Sequence, residues 1–208
     1  MSTDILIQAV VTLFVTIDPL GLAPLFLAVT AGMNRTERSQ VALRASVIAF
    51  VVFVVFALAG TEILTLFGIT LPAFRVAGGL LLFWIAFEMV FERRQQRHEN
   101  TAQRAITLDE IHGVSVFPLA IPLMAGPGAI SATILLSGEF ASVLDRTALI
   151  AILLGIVALS YGVYLLAERV DGMLGTTGRT VLTRLLGVIL SALAVQYVAD
   201  GVKALIAA

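Results

Sequence analysis

Two short stretches of this chain set polar and helix-breaking residues into apolar sequence. Residues 14–26 read FVTIDPLGLAPLF, which places Asp18, Pro19, Gly21 and Pro24 among Phe, Val, Ile and Leu. Residues 117–133 read FPLAIPLMAGPGAISAT, with Pro118, Pro122 and the Gly126-Pro127-Gly128 triplet. Proline lacks an N–H, disfavours helical dihedrals in the residue before it and suits the first position of a helix, while Asp is a favoured N-cap. Asp18 is therefore expected to stand just outside a half-helix that begins at Pro19 and includes Leu20 and Gly21. Pro127 is expected to begin another after Ala125 and Gly126, running through Gly128 and Ser131. The free N–H groups and positive dipole end of each half-helix suit a carboxylate or other anion. The Asp18 carboxylate and the carbonyls freed by proline, such as Val15, Leu20 and Leu123, suit an ammonium group or a coupling ion. A site with both characters fits a zwitterion, of which a free amino acid is the simplest.

The elements that must position these residues are membrane helices. Of 208 residues, 59% are hydrophobic and 13% charged, against about 25% charged in a soluble domain. The mean hydropathy is +1.02. Six segments, about 5–30, 41–59, 71–91, 114–137, 147–167 and 181–207, approach or exceed the roughly 20 apolar residues needed to cross a bilayer. The longest polar stretch is 92–113, so the expectation is one all-α transmembrane domain over 1–208, without a soluble enzyme module or a nucleic-acid-binding tail. The chain has no cysteine, which excludes disulfides, thiolate metal sites and a Cys nucleophile. The N-terminus lacks the basic and small-residue features of a secretory signal, so the first segment is expected to remain as a helix.

Arginines cluster after the first, third and fifth spans: Arg35, Arg38 and Arg44; Arg93, Arg94, Arg97 and Arg104; Arg169, Arg179 and Arg184. By the positive-inside rule that face is cytoplasmic and both termini lie outside. The apolar stretch 60–74 reads either as an extension of the second span or as an interfacial segment. RVAGGLLL from Arg75 and RLLGVILS from Arg184 share Arg, Gly and Leu at an offset of 109 residues, and Pro19 and Pro127 are separated by 108. Two three-span halves, about 1–92 and 114–208 joined by a connector over 93–113, must have opposite orientations. That is the inverted-repeat arrangement of many secondary transporters, whose sites lie on broken helices at the repeat interface.

Plainer readings stand beside these. Pro24, Pro118 and Pro122 can simply kink helices, and Gly78, Gly79, Gly155, Gly162 and Gly187 can serve close helix packing. Asp18 is either functional, as ionisable residues at membrane depth are by default, or a structural cap. Gln196 needs a partner, which is either the breaks or a structural hydrogen bond. Glu62, Glu88, Asp200 and Lys203 lie near span ends where water can reach them, and Arg75 and Arg184 are placed to anchor at opposite interfaces. His98 and His112 show no metal-ligand spacing, and no metal site or cofactor is expected beyond a coupling proton or sodium ion.

IDPLGLAPLF, FGITLPAFRVAGG, PLAIPLMAGPGAI and RLLGVILSALAVQYVADG also resemble, in order and over nearly the whole chain, the motifs of the MarC family of bacterial and archaeal inner-membrane proteins. The resemblance implies six spans with discontinuous first and fourth helices and a small secondary transporter, since some members carry glycine and alanine. It implies signature roles for Asp18, Pro19, Gly21, Gly126, Pro127 and Gly128, and for Arg184, Gly187, Gln196 and Asp200 in the last span. It further implies that Asn replaces Asp at position 18 in some members.

The expected function is alternating-access transport of small neutral amino acids, with the bilayer and a small zwitterion as partners and an oligomer possible. Export of another small metabolite or drug, or a passive channel, would use the same architecture. A membrane-embedded enzyme would need a catalytic constellation, and the chain contains no HExxH, Cys or GxSxG. If protons couple through Asp18, the Asp18→Asn variant is expected to lose concentrative uptake in vesicles yet keep exchange. Accumulation retained by that variant would exclude the role.

Overall fold

The structure is a computed structural model in which residues 3–94, 97, 111–140 and 142–207 are described. Among them the chain is helical, without strands. We number the helices α1 (Thr3–Ile17), α2 (Pro19–Val29), α3 (Arg35–Leu66), α4 (Leu71–Val90), α5 (Ile111–Val114), α6 (Pro127–Glu139), α7 (Val143–Leu165) and α8 (Ala167–Ile206). Between α5 and α6, Ser115–Met124 forms wide turns interrupted at Phe117 and Ile121, whose backbones are extended before the cis-prolines Pro118 and Pro122. Five spans are long and apolar enough to cross a membrane: α1 with α2, then α3, α4, α7 and α8. Ser115–Met124 with α6, bent by 57°, makes a sixth if taken as one span.

Polar residues start the helices. Asn34 and Glu37 form a capping box at α3, with Glu37 N–H donating to the Asn34 side chain at 3.0 Å and Asn34 N–H to Glu37 at 2.8 Å. Thr70 caps α4 through the Ala73 N–H, and Ser142 caps α7 through the Asp145 N–H. The segment 60–74 resolves simply: α3 continues to Leu66, a short turn follows, and α4 begins at Leu71. The 32 residues of α3, at about 1.5 Å each, exceed the about 30 Å hydrocarbon core.

The distribution of side-chain size identifies the solvent. On α3 the exposed stripe is Leu43, Val47, Val51, Val55 and Leu58, whereas the buried one is Ala42, Ala45, Ala49, Phe53 and Ala57. Large apolar groups outside and mainly alanine inside, with Phe53 the exception, are what lipid permits and water does not. Inside, α3 packs on α6 and α7, α1 and α2 pack on α7 and α8, and α4 makes with α8 the most extensive helix pair.

Glycine sets that last pair. A Cβ on Gly79 would lie 2.9 Å from the Ala194 carbonyl oxygen and 3.0 Å from the Val198 nitrogen, and one on Gly201 would lie 2.9 Å from the Pro72 carbonyl oxygen. Gly187 likewise approaches Ala86 and Met89. Gly155 and Gly162 differ from the packing expectation: nothing lies within 4 Å of a Cβ built on either. The obstacle at Gly79 is backbone and cannot rotate away. Gly79→Val is therefore expected to lower stability by roughly 1–3 kcal/mol, the range for overpacking a tight interior, whereas Gly155→Ala should leave the detergent melting temperature unchanged.

Candidate solute-binding site at the helix breaks

The first break follows from one residue. In a continuous helix the Val15 carbonyl would accept from the N–H of residue 19, which is a proline and has none. Asp18 takes left-handed backbone (φ 56°, ψ 62°) between α1 and α2, and its Oδ1 accepts from the Gly21 N–H at 3.1 Å. Asp and Asn are the non-glycine residues best suited to that combination, since they tolerate the left-handed region and cap well. Gly21 is equally constrained: a Cβ there would run into the Asp18 carboxylate.

Arg94 completes the break from a distant part of the chain. It is 6% exposed, donates from Nη2 to the Thr16 carbonyl at 2.6 Å, and from Nη1 to the Val15 carbonyl at 3.5 Å and the Met89 sulfur at 3.2 Å. A cation thus sits at the negative end of α1, where the dipole favours it. Burial lowers the Arg94 pKa from its ordinary value, and the charge of Asp18 opposes that shift. The freed Val15 carbonyl, expected to meet a coupling ion, instead meets this guanidinium.

The second break is built on glycine and proline. The Ala125 N–H closes a wide turn onto the Ala120 carbonyl at 2.8 Å, and Gly126, whose Cβ would sit 2.7 Å from the Pro122 carbonyl oxygen, turns the chain into α6. No side chain caps α6. A Cβ on Gly128 would run into the δ-methyl of Ile85, which would have to turn aside.

A cavity of about 240 Å³ opens at the second break, lined by Thr16 near the end of α1, by Leu81, Trp84 and Ile85 of α4, by Arg94 and Arg97, and by Pro122, Leu123 and Gly126 to Ala129. That volume lies below the about 300–1,000 Å³ usual for drug-sized ligands. Its lining includes two guanidinium side chains and an uncapped helix N-terminus, and no carboxylate among the described residues. Such a wall suits a small anion or the carboxylate of a small solute. A larger groove of about 900 Å³, bordered by Phe26, Arg35, Arg38, Tyr164 and Arg169 among others, does not include the second break.

The expected site residues divide accordingly. Gly126, Pro127, Gly128 and Leu123 line the cavity. Asp18, Pro19 and Gly21 are buried at the first break without lining it, Leu20 is partly buried, and Ala125 is buried within the second turn. Ser131 faces Gly78, with its Oγ 3.3 Å from where a Cβ there would lie. Gln196 is exposed and donates to its own helix neighbour Asp200 at 2.9 Å, so it belongs to neither break. Glu88 is not solvated as its place near a span end implied: it is 6% exposed and pairs with Arg97 at 3.0 Å. Arg75 and Arg184 pair with Glu139 and Glu92. His98 lies outside the described residues. Arg94 was read in sequence only as one cation of a basic connector, and no spacing rule ties it to a carbonyl 78 positions away.

Comparison with known proteins gives one consistent relationship. The sequence model described as MarC family integral membrane protein matches residues 3–206. A UPF0056 membrane protein of Methanocaldococcus jannaschii is 35% identical over 98% of this chain and 98% of its own length. UPF0056 membrane proteins of Bacillus subtilis and Escherichia coli are each 31% identical, over 98% and 92% of this chain and 96% and 88% of their own. No solved structure matches the chain.

The two demands on residue 18, left-handed backbone and a cap, separate its substitutions. Asp18→Asn meets both and is expected to melt close to the parent in detergent, whereas Asp18→Ala should lose about 1–2 kcal/mol.

Proposed function

Because this chain belongs to the MarC family of integral membrane proteins, we propose that it is a secondary transporter of small neutral amino acids such as glycine and alanine, working by alternating access. The observation that carries this reading is the cavity of about 240 Å³ lined by the second break and, beside the first, by Thr16 and Arg94, close to the location expected for substrate in transporters built from inverted repeats. We read the first three spans and the last three as such repeats, with the first and fourth spans discontinuous. Helix packing supports this. Exchanging the first three spans for the last three turns the contact of α3 with α6 into that of α7 with α1, and the contact of α4 with α6 into that of α8 with α1 and α2. The pairs α4 with α8 and α3 with α7 map onto themselves.

In this reading the substrate carboxylate meets the N-terminus of α6, and its small side chain faces Leu81, Trp84 and Ile85. Asp18, close enough for its charge to act on Arg94, is the candidate proton carrier. The basic connector and both chain ends take the orientation set by the positive-inside rule, with the termini outside.

The test is thermal stabilisation of the purified protein in detergent across the twenty amino acids, with and without sodium and at two pH values. A ligand at a hundredfold excess over its Kd adds about 2.7 kcal/mol to the folded state, so glycine or alanine should raise the melting temperature and larger or acidic amino acids should not. No shift with any amino acid, in protein shown to be folded, would overturn the amino acid reading.

A further inference from the structure

The larger groove, of about 900 Å³, takes no part in the second break and differs from the smaller cavity in character. It lies where two pairs of helices turn around at one end of the bundle. The last turns of α2 and α7 contribute Phe26, Leu27 and Gly162, and the first turns of α3 and α8 contribute Arg35, Arg38 and Arg169. Its floor is apolar: Phe26 stacks on Tyr164 with ring centroids 4.7 Å apart, and both side chains are buried. Leu165 and Leu166 line it while half-exposed. Gly162 keeps it open, since nothing lies within 4 Å of a Cβ built there. The glycine that does not serve helix packing is thus a notch in the groove wall.

The rim is basic. Three guanidinium groups and one carboxylate, that of Glu168, line the groove and leave an excess of two positive charges. Arg38 is held in place, donating from Nη1 to Glu168 at 2.6 Å and from Nε to the Thr30 carbonyl at 3.3 Å. Arg35 and Arg169 are exposed, and among the described residues no carboxylate pairs with either. An apolar floor with free arginines where the spans end matches the two chemistries of an anionic lipid. An acyl chain is driven out of water onto apolar surface, and a phosphate takes charge-assisted hydrogen bonds from guanidinium groups. Basic pockets between helices at a membrane surface recognise anionic headgroups in this way.

Resting on the membrane orientation given above but not on which solute is carried, we propose that this groove binds one anionic phospholipid of the cytoplasmic leaflet. Its phosphate meets Arg35 and Arg169, and an acyl chain lies along Phe26, Leu27 and Gly162. A zwitterionic lipid brings its own cation to the excess positive charge, and a free phosphate leaves the apolar floor uncovered. Because the groove is shared by α2 and α3 on one side and by α7 and α8 on the other, a bound lipid ties the two halves of the chain together.

The experiment is thermal melting of the full chain in a neutral detergent, titrated with phosphatidylglycerol, with phosphatidylcholine and with inorganic phosphate. Phosphatidylglycerol is expected to raise the melting temperature with an apparent Kd at least about tenfold below that of phosphatidylcholine. Inorganic phosphate is expected to have no effect at matched concentration. An equal response to phosphatidylcholine, an equal response to inorganic phosphate, or no response to phosphatidylglycerol would each overturn the proposal. A doubled protein mass by light scattering with no lipid response would assign the groove to a second copy and overturn it as well.

Two variants locate the site. Arg35→Gln combined with Arg169→Gln leaves the bonds of Arg38 in place and is expected to raise the phosphatidylglycerol Kd on the order of tenfold or more. Gly162→Leu fills the notch and is expected to abolish the shift. Its control is Gly155→Leu, at a glycine equally open but outside the groove, which should keep the shift. If Gly162→Leu does not fold, the arginine pair decides. An unchanged phosphatidylglycerol Kd in the folded arginine variant or in folded Gly162→Leu would place the lipid elsewhere and overturn the proposal. Stabilisation by glycine or alanine, read on the same preparations, is expected to be unaltered by these variants, so the lipid site and the amino acid reading fail separately.

Discussion

A broken helix in lipid has no water to replace its lost hydrogen bonds, and that constraint governs the centre of this molecule. Pro19 removes the donor that Val15 would otherwise have, and the chain answers with two side chains. Asp18 turns left-handed and caps α2 through Gly21. Arg94 folds back from beyond α4 to the carbonyls of Val15 and Thr16. Burying a guanidinium costs several kcal/mol in isolation, yet this one meets two carbonyl dipoles, the negative end of α1 and the charge of Asp18. The break and the buried cation are thus one unit: without the proline the cation would have no acceptors, and without the cation the break would be an exposed defect.

The rest of the fold brings the second break to that unit. Lipid provides no hydrophobic drive between helices, so association rests on close packing and therefore on small residues. On α4 the glycines divide the work. Gly79 faces α8 and fixes the long antiparallel pair, while Gly78 lies against Leu135 and Ser131 of α6. Leu81 and Ile85 follow Gly78 at helical spacing on the same face, and they become the cavity wall one and two turns on. Gly128 then removes the side chain that would collide with Ile85. The contacts that hold α4 against α6 therefore also determine the height at which the uncapped end of α6 reaches the cavity that Arg94 also lines.

How much of this was legible in the sequence depends on the range of each interaction. Apolar length located the spans. Asp18-Pro19 and Gly126-Pro127-Gly128 were visible because a proline acts on the residue before it and the carbonyl four back. Arg94 was not visible. Its partners lie 78 and 79 positions away, and a basic residue just past a span is ordinarily a solvated member of the positive-inside set. Glu88 and Gln196 failed in opposite senses for a related reason. Nearness to a span end did not keep Glu88 in water once Arg97 lay over it, and an apolar-flanked Gln196 satisfied itself within its own helix through Asp200.

The guanidinium group explains how one residue can hold two backbone carbonyls at the end of α1. Its five N–H groups point in fixed directions from one plane, so donors used on one side do not exhaust it. Here the two terminal nitrogens hold α1, and Nε is the one without a partner. A lysine could supply the charge but only as a point donor, without the fixed fork that reaches both α1 carbonyls at once.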